Sequence, residues 1–243
     1  MAWRSQIAEM IQKGIHRAFD DVVTLTEDWA HTLPAEYLLT VDIALAISTL
    51  NESHGGVGFP LKTYIEAPTK AFIRHCIPLW PLQNVGQRAK IYAKVTRKGK
   101  IDIAVTHDGM RKAAPTCVIE IKGFGASKRE IHKDLVRNAD FMALSQLVGE
   151  PRLEFTAFVA LHKGKAGHVK HKQRDINEVR RKYDTYLSEV NLASRLPGVC
   201  ASCSIYTASE NLASDGMNEI QLDDVSEYHH HFIVAIVTFH WEP

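Results

Sequence analysis

Cysteine is scarce in this sequence, with only Cys76, Cys117, Cys200 and Cys203 among 243 residues. Four thiols are sparse for this length, and with no export signal they are expected to stay reduced in a cytoplasmic compartment. Long apolar runs are missing too. No stretch approaches the ~18 consecutive apolar residues of a spanning helix, so a membrane is not an expected partner. The opening MAWRSQIAEMIQKGIHRAF lacks the unbroken apolar segment of a secretory leader. No glycine-rich phosphate loop or dinucleotide fingerprint follows a strand, which leaves a small-molecule α/β enzyme without sequence support. Nor does one sign of charge prevail: 29 Lys and Arg against 28 Asp and Glu give a formal net charge of +1. A chain coated in basic charge is excluded, and any nucleic-acid contact must come from a local groove.

What is present suits a globular chain. Hydrophobic residues make up 45% and charged ones 23%, enough for one α/β core. No repeat or Pro/Gly/Ser linker divides it, so residues 1–243 are expected to form a single domain. Apolar residues at helical spacing (Ile7, Met10, Ile11, Ile15, Phe19) predict a helix over 6–19. The segment PAEYLLTVDIALAISTL predicts a second over 34–50, opened by Pro34 and apolar on nearly all sides, hence buried. Glu36 and Thr40 lie one turn apart on it. A short extended stretch (61–66) and a small helix (70–76) follow. Strands are then expected at 90–96, 100–106 and 116–122, joined by hairpin-type turns into an antiparallel meander. Ser127 with Glu130 three residues on is a capping-box pattern, and it predicts a helix over 128–148. A strand at 153–161 comes next. A helix between two strands lets them lie parallel, which gives a mixed sheet flanked by helices. The C-terminal part, about 169–243, reads as an α/β extension: a helix over 175–192, a strand near 203–207 and a last strand over 231–241.

The chemistry concentrates in Lys100-Ile-Asp-Ile-Ala-Val and Val118-Ile-Glu-Ile-Lys-Gly. Side chains alternate along a strand, so Glu120 and Lys122 project one way and Ile119 and Ile121 the other. Asp102 is expected to face away from both Ile101 and Ile103. For Asp102 to share a face with Glu120, antiparallel partners must have numbers summing to an even value. Two nearby carboxylates suit Mg²⁺ or Mn²⁺, hard cations that keep positions open for water and phosphate. Such a metal lowers the pKa of a bound water, and a lysine beside it can orient or deprotonate that water. The competing reading is a solvated strand face with a cross-strand ion pair, a contact worth less than ~1 kcal/mol.

Asp102 followed by Glu120-Ile121-Lys122 on the next strand resembles the PD-(D/E)XK nuclease superfamily, the restriction-endonuclease-like proteins. Their core runs helix, three-stranded meander, helix, strand, and the order above fits it over about 34–161. The resemblance implies a Mg²⁺-dependent nuclease acting on DNA, with RNA as the lesser alternative. It places Asp102, Glu120 and Lys122 in catalysis, and Asp102 and Glu120 on the metal with Glu36 on the first core helix as a further ligand. The motif's usual proline is replaced by Ile101. Lys128, Arg129, Lys133 and Arg137 on the helix after the motif become candidates for the active face. A homodimer would suit cutting of both strands. The alternative within this fold is an inactive nucleic-acid-binding or assembly subunit.

The densest basic segment is 162–174, expected as a glycine-loosened loop whose Lys163 and Lys165 suit phosphate contact. Its histidines have no cysteine partners for zinc. Cys200 and Cys203 form a single C-x-x-C, half a zinc site at most. The run His229-His230-His231 precedes a buried strand, and its preferred reading is structural.

Overall fold

A computed structural model describes residues 2–26, 36–53, 61–76, 99–108, 113–148, 153–164, 169–212 and 229–242. Its centre is a six-stranded mixed sheet of β1 (Leu61–Pro68), β2 (Lys100–Asp108), β3 (Ala113–Lys122), β4 (Phe155–Lys163), β5 (Val199–Asn211) and β6 (His230–Trp241), in the order β1-β2-β3-β4-β6-β5. β3 and β4 run parallel, as expected of strands joined through a helix, and the other pairs are antiparallel. β4 and β6 are buried nearly throughout, and their apolar runs (FTAFVALHK and HHFIVAIVTFHW) match a sheet covered on both faces. Pro68 lies on the edge strand β1, where a missing N–H costs no rung. Pro115 lies where the β2–β3 register shifts, between Val105 and Thr106.

Helices cover the two faces separately. α1 (Ala2–Thr26), α2 (Glu36–Ser48) and the short α3 (Leu50–Ser53) pack their Ile7, Ile11, Ile15, Ile43 and Leu50 against Ile103, Ile119, Ile121 and Val159. On the other face, α4 (Thr69–Cys76), α5 (Lys128–Val148) and α6 (Val169–Val190) bring Phe72, Leu135, Met142 and Tyr183 onto Ala104, Val118, Phe158 and Ile233. A final turn, α7 (Leu192–Arg195), leads into β5. Each fully buried Ile, Leu or Phe contributes about 1.5–3 kcal/mol, so the two layers supply the driving force for folding. α1 and α2 meet at Gly14, where a Cβ would stand 2.5 Å from the Ile43 Cα. α2 is less enclosed than its composition suggests: Tyr37 and Leu45 are exposed.

Three expectations change. The strand paired with β2 on its far side from β3 is Leu61–Pro68, so β1, β2 and β3 form the antiparallel three-stranded unit. The segment 90–96, expected to open the meander, lies outside the described residues, as do Pro34 and Lys165. The described residues of the basic segment 162–174 are largely regular: His162 and Lys163 end β4, and α6 begins at Val169, six residues before the expected start. Lysine and arginine are good helix formers, and the first turns of α6 need no apolar stripe to be helical. Finally, Ile101 and Ile103 do not share a face. Ile101 packs with Ala67 and Leu135 under α5, whereas Ile103 packs under α1 and α2. The β1–β2 register pairs Ile65 with Ile103 and Ala67 with Ile101, which sets Glu66 opposite Asp102. Glu66 has φ 50°, a left-handed backbone, and the strand pair changes face there.

Candidate functional site

The β2–β3 ladder pairs Ile103 with Ile119, numbers that sum to an even value, and one further step sets Asp102 opposite Glu120. The register requirement is met. Beyond Ile103 the Asp102 carboxylate takes over from the ladder: its Oδ2 accepts the Ile121 N–H at 2.6 Å. Two neighbouring strands thus end in a carboxylate pair at the C-terminal end of β3.

Glu120 and Lys122 face α5 because Ile119 and Ile121 are committed to the opposite core. α5 is positioned by its capping box: Ser127 N–H and Oγ donate to Glu130 Oε2 (2.8 and 2.7 Å), and Glu130 N–H donates to Ser127 Oγ (3.3 Å). From that start Asp134 and Arg137, three residues apart, fall on the sheet side beside Leu135 and Asn138. Arg137 Nη1 stands 3.1 Å from Glu120 Oε1 and donates to Oε2 at 3.3 Å. Its Nη2 donates to Thr69 Oγ1 (2.9 Å) and to the Lys100 carbonyl (2.7 Å). Lys122 Nζ donates to Glu36 Oε1 (2.9 Å) and to the Ile121 carbonyl (3.0 Å), and stands 3.4 Å from Asp134 Oδ2. Glu36, the first residue of α2, reaches the site around the sheet end, with its backbone N 3.8 Å from where a Cβ on Gly123 would lie. Thr40 on the next turn caps the Glu36 carbonyl from its hydroxyl at 2.7 Å.

Four carboxylates (Glu36, Asp102, Glu120, Asp134) therefore surround two cations, Lys122 and Arg137. The electrostatics follow from burial. Glu120 is 2% exposed, and desolvation raises its pKa well above the ordinary range despite the facing Arg137 guanidinium. Desolvation also lifts Asp102, to about 6, against the opposing pull of the Ile121 N–H and the Lys122 charge. Burial alone would lower the Lys122 pKa. The Glu36 hydrogen bond and the charges of Asp134, Glu36 and Asp102 outweigh it, and the ammonium is held charged. Oε1 of Glu120 is buried without an aligned hydrogen-bond donor.

Asp102, Glu120, Lys122 and Glu36 are thus brought together. Of the four basic residues expected on α5, Arg137 enters the site. Lys128 instead pairs with Glu189 at 2.6 Å and lies over the Tyr186 ring. Arg129 and Lys133 line a surface groove with Ser127, His132 and Val136. Lys163, at the same end of the sheet, borders a cavity of about 290 Å³ with Gly125, Asp175 and Lys182. Sequence reading missed Asp134. Its signal was an acid beside the apolar stripe Ile131, Leu135, Ala139 and Met142, at a position 6% exposed. It also missed Thr69, which no motif marks.

The remaining candidates are structural. His162 Nε2 is bonded to the Tyr183 hydroxyl (3.0 Å), and burial lowers its pKa to about 4, so it is neutral at physiological pH. His230 and His231 meet Ser209 and Thr207 hydroxyls at 2.9 and 3.0 Å. Cys200 and Cys203, three apart on one strand, point to opposite faces. Among the described residues no three His, Cys, Asp or Glu side chains converge at metal-ligand spacing, and no helix is long and apolar enough to cross a membrane. The chain matches no protein-family model, no curated protein and no solved structure.

Proposed function

We propose that this protein is a Mg²⁺-dependent nuclease that hydrolyses phosphodiester bonds in DNA. The observation that carries this reading is the convergence of half-buried Asp102 and buried Glu120 with Lys122 at one sheet end, where burial opposes the very charges the site would hold. Titratable groups whose pKa values desolvation displaces are a feature of working sites, and a surface ion pair has no need of such burial. The element order α2, then antiparallel β1-β2-β3, then α5 and parallel β4 also favours a core of the PD-(D/E)XK kind.

The donor set fits a hard cation. Two carboxylates suffice for Mg²⁺, which keeps several waters and completes its shell with substrate phosphate. Asp102 and the undonated Oε1 of Glu120 would hold it, and with all four acids ionised Lys122 and Arg137 leave two negative charges unbalanced. When bound, the ion would supply an acidified water and charge neutralisation at the phosphate. Lys122 is anchored from three sides and stays protonated, so its role is to orient the attacking water and offset charge, not to act as base. Glu36 serves that lysine as an anchor.

The test is cleavage of plasmid and linear DNA with and without Mg²⁺, by the wild type and Glu120→Ala purified in parallel. Metal-dependent cutting by the wild type alone is expected. Equal cutting by both preparations, or none by either while both remain folded, would sink the reading. The second outcome would favour a non-catalytic nucleic-acid-binding subunit.

A further inference from the structure

Arg137 occupies an unusual position for a basic residue beside a proposed cation site. Its Nη1 lies on both oxygens of Glu120, at 3.1 and 3.3 Å, and Glu120 is one of the two carboxylates the cation would need. The guanidinium is not drawn there by Glu120 alone. Nη2 is seated on two neutral acceptors, Thr69 Oγ1 at 2.9 Å and the Lys100 carbonyl at 2.7 Å. Thr69 is itself fixed, because its N–H and hydroxyl both donate to the Gly99 carbonyl (3.2 and 2.9 Å). The ring of Phe141, 5.8 Å from the guanidinium carbon, flanks it from the next turn of α5. Elements α4, β2 and α5 thus hold one positive charge against the buried carboxylate. Lys122, by contrast, is tied to Glu36 and Asp134, and leaves Glu120 to Arg137.

We infer that Arg137 is a built-in competitor for the divalent cation. It occupies Glu120 in the metal-free protein, and the ion binds only by displacing Nη1 from that carboxylate. This inference rests on the reading of Asp102 and Glu120 as the metal pair. A cation that must expel a resident guanidinium from a partly dry site binds more weakly than the carboxylates alone would allow. Displacement turns the guanidinium off Glu120 and strains the Nη2 contacts with Thr69 and the Lys100 carbonyl, so those contacts resist the ion. Nη1 is released as a donor beside the ion, where a phosphate oxygen would enter. Substrate therefore favours the displaced arrangement, and nucleic acid and metal bind cooperatively.

The experiment is Mn²⁺ binding to the full chain without nucleic acid, followed by electron paramagnetic resonance of the free ion, for the wild type, Arg137→Gln and Thr69→Val. Arg137→Gln is expected to bind Mn²⁺ about ten-fold more tightly, through loss of a positive charge at close range. Thr69→Val removes a neutral anchor and no charge, and it is expected to bind about three-fold more tightly, the scale of one hydrogen bond. Unchanged or weaker binding by a folded Arg137→Gln overturns the inference. So does tighter binding by Arg137→Gln with no change in Thr69→Val, since that pattern is a distant charge effect without displacement. Should Arg137→Gln fail to fold, the Thr69→Val result decides alone. Absence of Mn²⁺ binding in all three removes the metal pair itself, and the proposed function with it.

Discussion

Asp102 shows how much of a site can be read from residue types and how much needs coordinates. Its grouping with Glu120 and Lys122 was legible because a strand alternates and the flanking residues are aliphatic. That it turns to accept the Ile121 N–H was not, since the twist at Glu66 and Asp102 separates Ile101 from Ile103 and has no signature in the residues themselves. The same twist gives a test. With a pKa raised to about 6 in the folded protein and an ordinary value of 3.8 unfolded, Asp102 holds its proton in the native state where the unfolded chain has lost it. Between those values the native state binds more protons, so stability falls as pH rises and the loss is complete above about 6. Asp102→Asn removes that loss while keeping an acceptor for Ile121. It is expected to raise the melting temperature at pH 7.5 by an amount worth up to about 3 kcal/mol, with little effect at pH 4. DNA cleavage should be abolished in the same variant. A carboxylate whose neutral isostere stabilises the protein is there for chemistry; a melting temperature lowered equally at both pH values would mean that Asp102 is a structural residue.

At the scale of elements, legibility followed the strength of local signals. The start of α5 at Lys128 was legible because Ser127 and Glu130 mark it in the chain itself. β4 and β6 were legible from segments rich in Phe, Val and other apolar residues. β1 was read only as an extended stretch. Most of its side chains are exposed, and its partner β2 follows after more than thirty residues, whereas the expected partner lay just one turn away. A single sequence weights near neighbours, and pairing energy is indifferent to them. The capping box carries a function-related burden as well as a structural one, since it sets the rotation that delivers Asp134 and Arg137 to the sheet. Ser127→Ala leaves the Glu130 N–H without its acceptor and removes the hydroxyl's own bond to Glu130, a change worth about 1 kcal/mol. In a chain of 243 residues that is a drop in melting temperature of about 2–4 °C. Calorimetry of the variant checks it. A shift below half a degree would show that α5 is held by Leu135 and Met142 alone and that its cap is incidental.

For the whole molecule, the sheet separates two cores and brings the ends of β3 and β4 out on one side. Glu36, Asp102, Glu120 and Asp134 gather there, and Lys163 closes the neighbouring strand. The fold class and the mixed sheet were legible, because they depend on element order. Which basic residues surround the site was not, because that depends on which faces α5 and α6 leave outward. Charge then sets how nucleic acid could be held. With a formal net charge of +1, the chain has no general attraction for a polyanion, and four site carboxylates repel one locally. On the proposed nuclease function, binding relies on a few local cations, and Arg129 and Lys133, which line the α5 groove, are the candidates for phosphate contact. Each phosphate contact contributes about 0.9 to the slope of log affinity against log salt, so the double variant Arg129→Ala, Lys133→Ala should lose close to two units of slope. The affinity should drop alike for unrelated sequences, since phosphate contacts carry no base information. Fluorescence anisotropy over a salt series, on the cleavage-silent Asp102→Asn background, measures both quantities. A slope that stays put while affinity falls would assign those two residues to folding, and a fall confined to one sequence would make them readers of bases. Were affinity and slope both unchanged, Arg129 and Lys133 would have no part in binding, and Lys163 and Lys182 beside the neighbouring cavity would be the next pair to substitute.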